Sequence, residues 1–366
     1  MASVIYILQY VAFFCWLCSS ILVATGLAGL LYKPKRKMRR AENVEYVIVS
    51  IANHKVEKTL TACIAHTKQK LGKRPIVLVD EESELIPNLK ANSLVVVPSS
   101  YRRDLVGKGR AINYFIETEV KPDKWYAFVD DDNLILDDSF LYEIPYYEER
   151  GYVAMNAVLV PRKGRSKLTY CMDFIRYFDD LTTYRLSTGL LKRAILGLHG
   201  ELLTVKGSTL REIGYNSRTI VEDFHFASQL VQRGYKTWQS ATKVSIKSPN
   251  SLCDLMRQRG RWYIGILNDL KHCPLSMKLL VGVRVVLWSF GIFGSWALSP
   301  LWPFWGWFPL AIPGAIYYWT VYLYGVWKLR KPHYLFLIPL FGIFEAVSVF
   351  VGLRQKGKGF VVIAKD

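Results

Sequence analysis

Asp130-Asp131-Asp132-Asn133 sets three carboxylates in a row behind the apolar run Ala127-Phe128-Val129. Hard cations such as Mg²⁺ and Mn²⁺ prefer oxygen ligands, and usually keep waters and substrate phosphate oxygens in their shell. Residues i and i+2 at a strand end point the same way. Asp130 can therefore face a nucleotide ribose and join Asp132 on a metal, with Asp131 beside them on the donor side. An acidic triplet alone reads equally well as a solvated turn. The apolar residues before this one favour the end of a buried strand.

Other residues suit the same chemistry. Asp80 ends Ile76-Val77-Leu78-Val79 and is a candidate for the donor base, although a cap or turn is the plainer role. Lys108 lies in Gly107-Lys108-Gly109-Arg110-Ala111-Ile112-Asn113. A lysine at a glycine-flexed helix start suits a phosphate. Glu222-Asp223 opens a helix expected over Asp223–Gln232. Acidic pairs there are common because they complement the macrodipole. In a transferase, one of the two would take the proton from the attacking hydroxyl, Asp223 first and Glu222 second.

Gln258-Arg259-Gly260-Arg261-Trp262 brings a cation and an indole face together. Arg261 would neutralise a leaving diphosphate, and Trp262 would offer its face to a sugar ring. The stretch also reads as a basic amphipathic helix on a bilayer, with Arg257 and Arg259 toward lipid and Arg261 toward the site. His199, which starts His199-Gly200-Glu201-Leu202-Leu203, joins Gln258 as an acceptor-side candidate. His225 is more plainly structural.

The elements that must position these residues alternate along the chain. Strand-like runs are Tyr46–Ile51, Ile76–Asp80, Leu94–Val97, Trp125–Asp130 and Tyr152–Val160, with helical stretches such as Val56–Leu71 and Gly109–Glu119 between them. Apolar strands with intervening helices predict a mainly parallel sheet covered on both faces. Ligands of such sheets lie at the C-terminal strand ends. Asp80 and Asp130 both fall there.

In this order, Asp80, Asp130-Asp131-Asp132, Glu222-Asp223 and Gln258-Arg259-Gly260-Arg261-Trp262 resemble the D, DxD, ED, QxxRW series of membrane-bound family-2 glycosyltransferases. The chain is similar to their cellulose-synthase-like branch from about Val44 to Ile266. Ile220-Val221-Glu222-Asp223-Phe224, Ser248-Pro249 and Arg257–Trp262 resemble egghead-type β-mannosyltransferases and mannan synthases, as does the closing Gly359-Phe360-Val361-Val362. The resemblance implies an α/β GT-A domain, Rossmann-like and nucleotide-sugar-binding, with transmembrane α-helices. It implies inverting chemistry with Mn²⁺ or Mg²⁺. Asp80 and Lys108 would bind the nucleotide, and Asp130 and Asp132 would hold nucleotide and metal. Asp223 would be the base, and Gln258, Arg261 and Trp262 would serve the acceptor and diphosphate. GDP-mannose is the donor it favours. The alternatives are a UDP-glucose-dependent, ceramide-type glucosyltransferase, a polysaccharide synthase, and a non-catalytic membrane scaffold with a transferase fold.

The 366 residues are 51% hydrophobic and carry a formal charge of +18. The apolar residues concentrate in 4–32 and 279–353, and much of the basic excess flanks them. Such flanks bind anionic head groups and fix orientation, so membrane lipids rather than nucleic acid are the expected partner. Six cysteines show no extracellular disulfide framework, and the Cys15-Trp16-Leu17-Cys18 pair lies in an apolar helix.

The predicted order is an N-terminal transmembrane anchor with its basic flank over 1–40 and a cytoplasmic GT-A domain over 41–256. An interfacial helix follows over 257–277, then a C-terminal transmembrane region over 278–353 and a basic tail over 354–366. Apolar stretches are expected at 279–300, 304–327 and 333–353, with Trp296, Trp302, Trp305 and Trp307 near an interface. A full span over 333–353 would put Arg354, Lys356 and Lys358 on the wrong side. Glu345 there argues for a segment not wholly in lipid. A lipid-linked glycan or glycolipid acceptor would meet a soluble nucleotide-sugar donor at such a site.

Overall fold

The structure is a computed structural model that describes residues 2–89, 93–287 and 308–355. Eight strands are described: β1 Val44–Val49, β2 Ile76–Asp80, β3 Ser93–Val97, β4 Trp125–Asp130, β5 Leu134–Ile135, β6 Tyr152–Arg162, β7 Leu203–Lys206 and β8 Lys236–Lys247. They form one sheet in the order β3-β2-β1-β4-β7-β6-β8-β5. β3, β2, β1 and β4 are mutually parallel, as the sequence predicts. The other half corrects the expectation of a mainly parallel sheet. β7 runs antiparallel to β4 and β6, and β5 is antiparallel to β8, so the sheet is mixed. β7 is only four residues long, and β8 lacks an apolar run. Its Thr237, Gln239, Ser240 and Thr242 are buried. Three of them have partners: Gln239 bonds Asn156 and Thr188, Ser240 accepts from Thr242 N–H, and Thr242 accepts from Phe140 N–H.

Period-two alternation builds a core on each face of the sheet. Tyr46, Ile48, Val77, Val79, Trp125 and Val129 face α2 (Glu57–Leu71) and its neighbours. Val47, Leu78, Tyr126 and Phe128 face the other way, against α4 (Lys108–Thr118). The short helix Ile86–Leu89 is α3. Later helices are α5 Ser139–Glu148, α6 Lys167–Met172, α7 Phe174–Asp179, α8 Gly207–Ile213 and α9 Glu222–Gln232. A π-helix, Asp180–Leu190, follows α7 without a break. Single π turns are the usual form and often mark functional sites.

α10 (Leu252–Asp269) and α11 (Leu275–Val286) lead to two apolar helices, α12 (Ile312–Leu329) and α13 (Ile338–Gln355). A third core joins Cys171, Met172 and Phe174 to Leu255, Val321, Tyr322, Val326, Ile338 and Phe341. Trp296, Trp302, Trp305, Trp307, Lys356, Lys358 and Gly359–Val362 lie outside the described residues.

α1 (Ala2–Leu27) keeps Tyr6, Ile7, Tyr10 and Phe14 exposed. Gln9–Leu31 and Pro332–Arg354 are long and apolar enough to cross a membrane, with mean hydropathies of 2.0 and 2.2. The foot of the N-terminal segment docks on the π-helix. A side chain at Gly29 would run into the Thr182 carbonyl and approach Leu186 N at 2.9 Å. Gly29→Val should therefore separate the anchor from the π-helix and cost about 1–3 kcal/mol, as overpacking does. Thermal unfolding in detergent measures it, and a wild-type midpoint would contradict the contact.

Candidate active site

The parallel half of the sheet explains why the carboxylates meet. β1, β2 and β4 end on one edge, which carries Ser50, Asp80 and Asp130–Asp132 there. β7 runs the other way, and Leu203 at its start pairs with Phe128 near the end of β4. The turn before β7, with His199, Gly200 and Glu201, therefore reaches the same edge. So does the start of α9, with Glu222 and Asp223. Ser50, Asp80, Asp130–Asp132, His199, Glu201, Glu222 and Asp223 line a cavity of about 490 Å³ together with Lys108, Gln258, Arg261 and Trp262. Every candidate named from the sequence except His225 lines it. His225 instead pairs with Asp269 at 3.1 Å.

Lys108 holds the centre. Its ammonium lies 3.1 Å from Asp130 and 3.3 Å from Glu222. Gly107, at φ +60 and ψ −152, gives α4 a start that other residues rarely adopt. Gly200 leaves the space into which Lys108 extends, and a Cβ there would also come within 3.3 Å of Asp223 Oδ2. Burial works against the lysine's charge. Asp130, Glu222, Asp223 and Glu201 outweigh it and hold its pKa well above the usual value. Burial pushes Asp223 up to about 6, with Glu222 adding to the rise and Lys108 opposing it. Asp223 is thus poised to change charge near neutral pH, as a general base requires. Glu222, by contrast, is committed to Lys108.

At the donor end, Asp80 accepts from Arg110 at 2.6 Å. Burial raises its pKa and the guanidinium offsets part of that rise. Arg110 also donates to the Tyr101 and Pro98 carbonyls. Ser50 Oγ donates to Asp131 at 2.5 Å, and Arg162 donates to the Asp132 carbonyl at 2.8 Å. Among the described residues, no group of three or more His, Cys, Asp and Glu side chains is set to hold a metal alone. Asp130 and Asp132 nonetheless offer an all-oxygen pair facing one cavity. That suits a cation that completes its shell with water and diphosphate oxygens.

At the other end, His199 Nε2 bonds Asp180 at 2.8 Å, and the ring lies 4.3 Å from that of Tyr184. Burial lowers the imidazole pKa, but Asp180 more than compensates and raises it. Arg176 pairs with Glu201, and Arg284 with Asp179. The sequence reading missed Ser50, Arg110, Arg176, Asp179, Tyr184 and Arg284. Arg110 was within reach, since it sits in the segment that nominated Lys108. The others come together only through tertiary contacts.

One reading is corrected. Arg259, expected toward lipid, is buried and pairs with Asp173 at 2.6 Å and with Glu345 at 3.4 Å. Arg259 lines the same cavity, and α13 rather than a bilayer covers it. Glu345 is likewise buried within the protein, against Arg259.

A mixed sheet with helices on both faces and carboxylates on one edge has the architecture of a GT-A glycosyltransferase. The sequence carries the assignment further. The chain belongs to the family described as glycosyl transferase family group 2, which matches residues 125–347. The β-1,4-mannosyltransferase bre-3 of Caenorhabditis briggsae is 26% identical over 326 residues, covering 79% of this chain and 70% of that protein. The β-1,4-mannosyltransferase egh of Drosophila melanogaster is 26% identical over 310 residues, covering 74% and 66%. Among solved structures, the mannosyltransferase PcManGT of Pyrobaculum calidifontis, in complex with GDP-Man and Mn²⁺, superposes with a TM-score of 0.54. That match is 14% identical and covers 92% of this chain and 99% of that one, a likeness of fold.

Four outcomes are expected. Transfer should fall as pH drops through about 6, where Asp223 takes up a proton. Asp223→Asn should lose roughly 10²–10⁴-fold in turnover while still binding donor. The same carboxyl favours the fold when protonated, and that stabilisation is lost as pH rises through about 6. Asp223→Asn should therefore raise the melting temperature at pH 7 and above. Equal melting temperatures there, or lost donor affinity with turnover intact, would move the base elsewhere. Arg110→Ala should chiefly raise the donor KM, by freeing Asp80 from its set position. An unchanged donor KM would remove this pair from the nucleotide site.

Proposed function

We propose that the protein is a membrane-bound inverting mannosyltransferase. It would take mannose from GDP-mannose and form a β-glycosidic bond on a lipid-linked glycan or glycolipid. The observation that carries this reading is one cavity that joins the Asp130–Asp132 carboxylates, the half-buried Asp223 and the Gln258-Arg261-Trp262 face. Mannose as the sugar is supported by the names of the bre-3 and egh relatives. The membrane setting is supported by the two apolar segments and by the basic stretch from Lys33 to Arg40 beside the first of them. In this reading the catalytic domain and Lys328–Lys331 face the cytoplasm, and the donor enters from that side.

The reaction divides among named groups. Asp80 hydrogen-bonds the donor base and Lys108 binds the diphosphate, with Asp131 beside them. Asp130 and Asp132 would hold Mn²⁺ or Mg²⁺, which when bound neutralises the diphosphate and makes it a better leaving group. Asp223 Oδ2 accepts the proton of the acceptor hydroxyl as its oxygen attacks the anomeric carbon. Arg261 stabilises negative charge on the departing diphosphate. Trp262 carries the acceptor sugar, and His199, fixed by Asp180, stands on the same side.

A panel of nucleotide sugars offered to a membrane extract tests the donor. GDP-mannose should give glycolipid product and UDP-glucose should not; the reverse would favour the ceramide-type glucosyltransferase. Chelation should stop transfer and Mn²⁺ or Mg²⁺ restore it, and Asp132→Asn should be nearly inactive at any metal concentration. Full activity in chelator would overturn the metal assignment. Absence of donor consumption with every sugar would leave the scaffold reading.

A further inference from the structure

We propose that Arg259 is a positioning residue for the acceptor side of the site, and that Glu345 on α13 holds it there. The inference rests on the reading of Gln258 and Trp262 as acceptor-side groups. Arg259 is 2% exposed, yet it touches four functional neighbours. One guanidinium nitrogen donates to Asp173 at 2.6 Å. Another donates to Glu345 at 3.4 Å. The third donates to Gln258 Oε1 at 3.2 Å, and the guanidinium carbon lies 4.7 Å from the centre of the Trp262 ring. The fixed planar fork of arginine can meet these directions at once, whereas a lysine ammonium offers no plane to stack.

The backbone reinforces the arrangement. A side chain at Gly260 would lie 2.6 Å from both Gly352 N and Ser348 O, so α10 and α13 cross in backbone contact one residue from Arg259. Ser348 itself lines the cavity. A second guanidinium, Arg176, lies 4.9 Å from the Trp262 ring and is tied to Glu201. Trp262 thus takes its orientation from two arginines, and one of them is anchored to the last apolar helix.

Stability alone does not account for such a cluster. Buried ion pairs are often matched or bettered by apolar groups of similar volume. Holding an indole and an amide in one geometry is a role those groups cannot fill. α13 then acts as part of the catalytic apparatus as well as a membrane helix, and it sets how the acceptor sugar meets Asp223.

The test is run on the full chain in its membrane, with whichever donor the wild type consumes. Acceptor KM, transfer turnover and donor hydrolysis without acceptor are measured for Arg259→Lys, for Glu345→Gln and for the charge-free triple variant Asp173→Asn, Arg259→Met, Glu345→Gln. Misplacing a substrate-orienting group costs up to about 100-fold, so each variant should raise acceptor KM or lower transfer by about 10- to 100-fold. Donor hydrolysis should change far less, and the triple variant should melt near the wild type. Wild-type acceptor KM and transfer in the triple variant would show a structural cluster only and overturn the proposal. Equal losses of hydrolysis and transfer in Arg259→Lys would overturn it too. A wrong donor assignment appears separately, as a wild type inert toward GDP-mannose.

Discussion

One ammonium among four carboxylates organises this protein. Lys108 joins the end of β4 through Asp130 and the start of α9 through Glu222, and it extends across Gly200 in the turn before β7. Elements far apart in sequence meet at that nitrogen. Without it, Asp130, Glu222, Asp223 and Glu201 would crowd one partly dry cavity with like charge, which is strongly unfavourable at low dielectric. The requirement for glycine at 107 and 200 follows from the same constraint, since the lysine needs an unusual helix start and an open path. Burial and the charge of Glu222 raise the Asp223 carboxyl to about 6, and Lys108 limits that rise while it pairs with Glu222.

The half of the molecule that carries the apolar helix α13 depends on a second set of buried charges, Asp173, Arg259 and Glu345. These tie the start of α7 to α10 and α13 beside the cavity, so its wall is built partly from a segment apolar enough to cross a membrane. The docking of Gly29 against Thr182 repeats this at the other end of the chain. There the N-terminal segment meets the π-helix, whose Asp180 fixes His199. Both apolar segments are thereby coupled to residues that line the cavity.

Much of the carboxylate edge of the sheet was legible in the sequence because it is local. Asp80 and Asp130 end apolar runs that can only be strands, and parallel strands carry their ligands at those ends. Glu222-Asp223 was legible as a helix start. The mixed half of the sheet was not, because β8 buries polar residues whose partners are more than 80 positions away, as with Gln239 and Asn156. Arg259 was misread for a related reason. Its helix is amphipathic, and periodicity gives the buried face without saying whether lipid or protein covers the rest. Only the tertiary fold brings Arg284 to Asp179, across 105 positions. The π-helix left no recognisable signal, since a spacing of five hydrogen-bonded residues has no composition of its own.

The proposed reaction is a single displacement, in which Asp223 takes the proton from the acceptor hydroxyl as its oxygen attacks the face opposite the diphosphate. The stereochemistry of the product reads that step directly. Mannosyl product formed from GDP-α-mannose by wild-type membranes should carry a β-anomeric centre, identified by its one-bond carbon–proton coupling in NMR. An α-anomeric product would contradict the account, because retention requires a different arrangement of base and leaving group from the one built around Lys108 and Asp223.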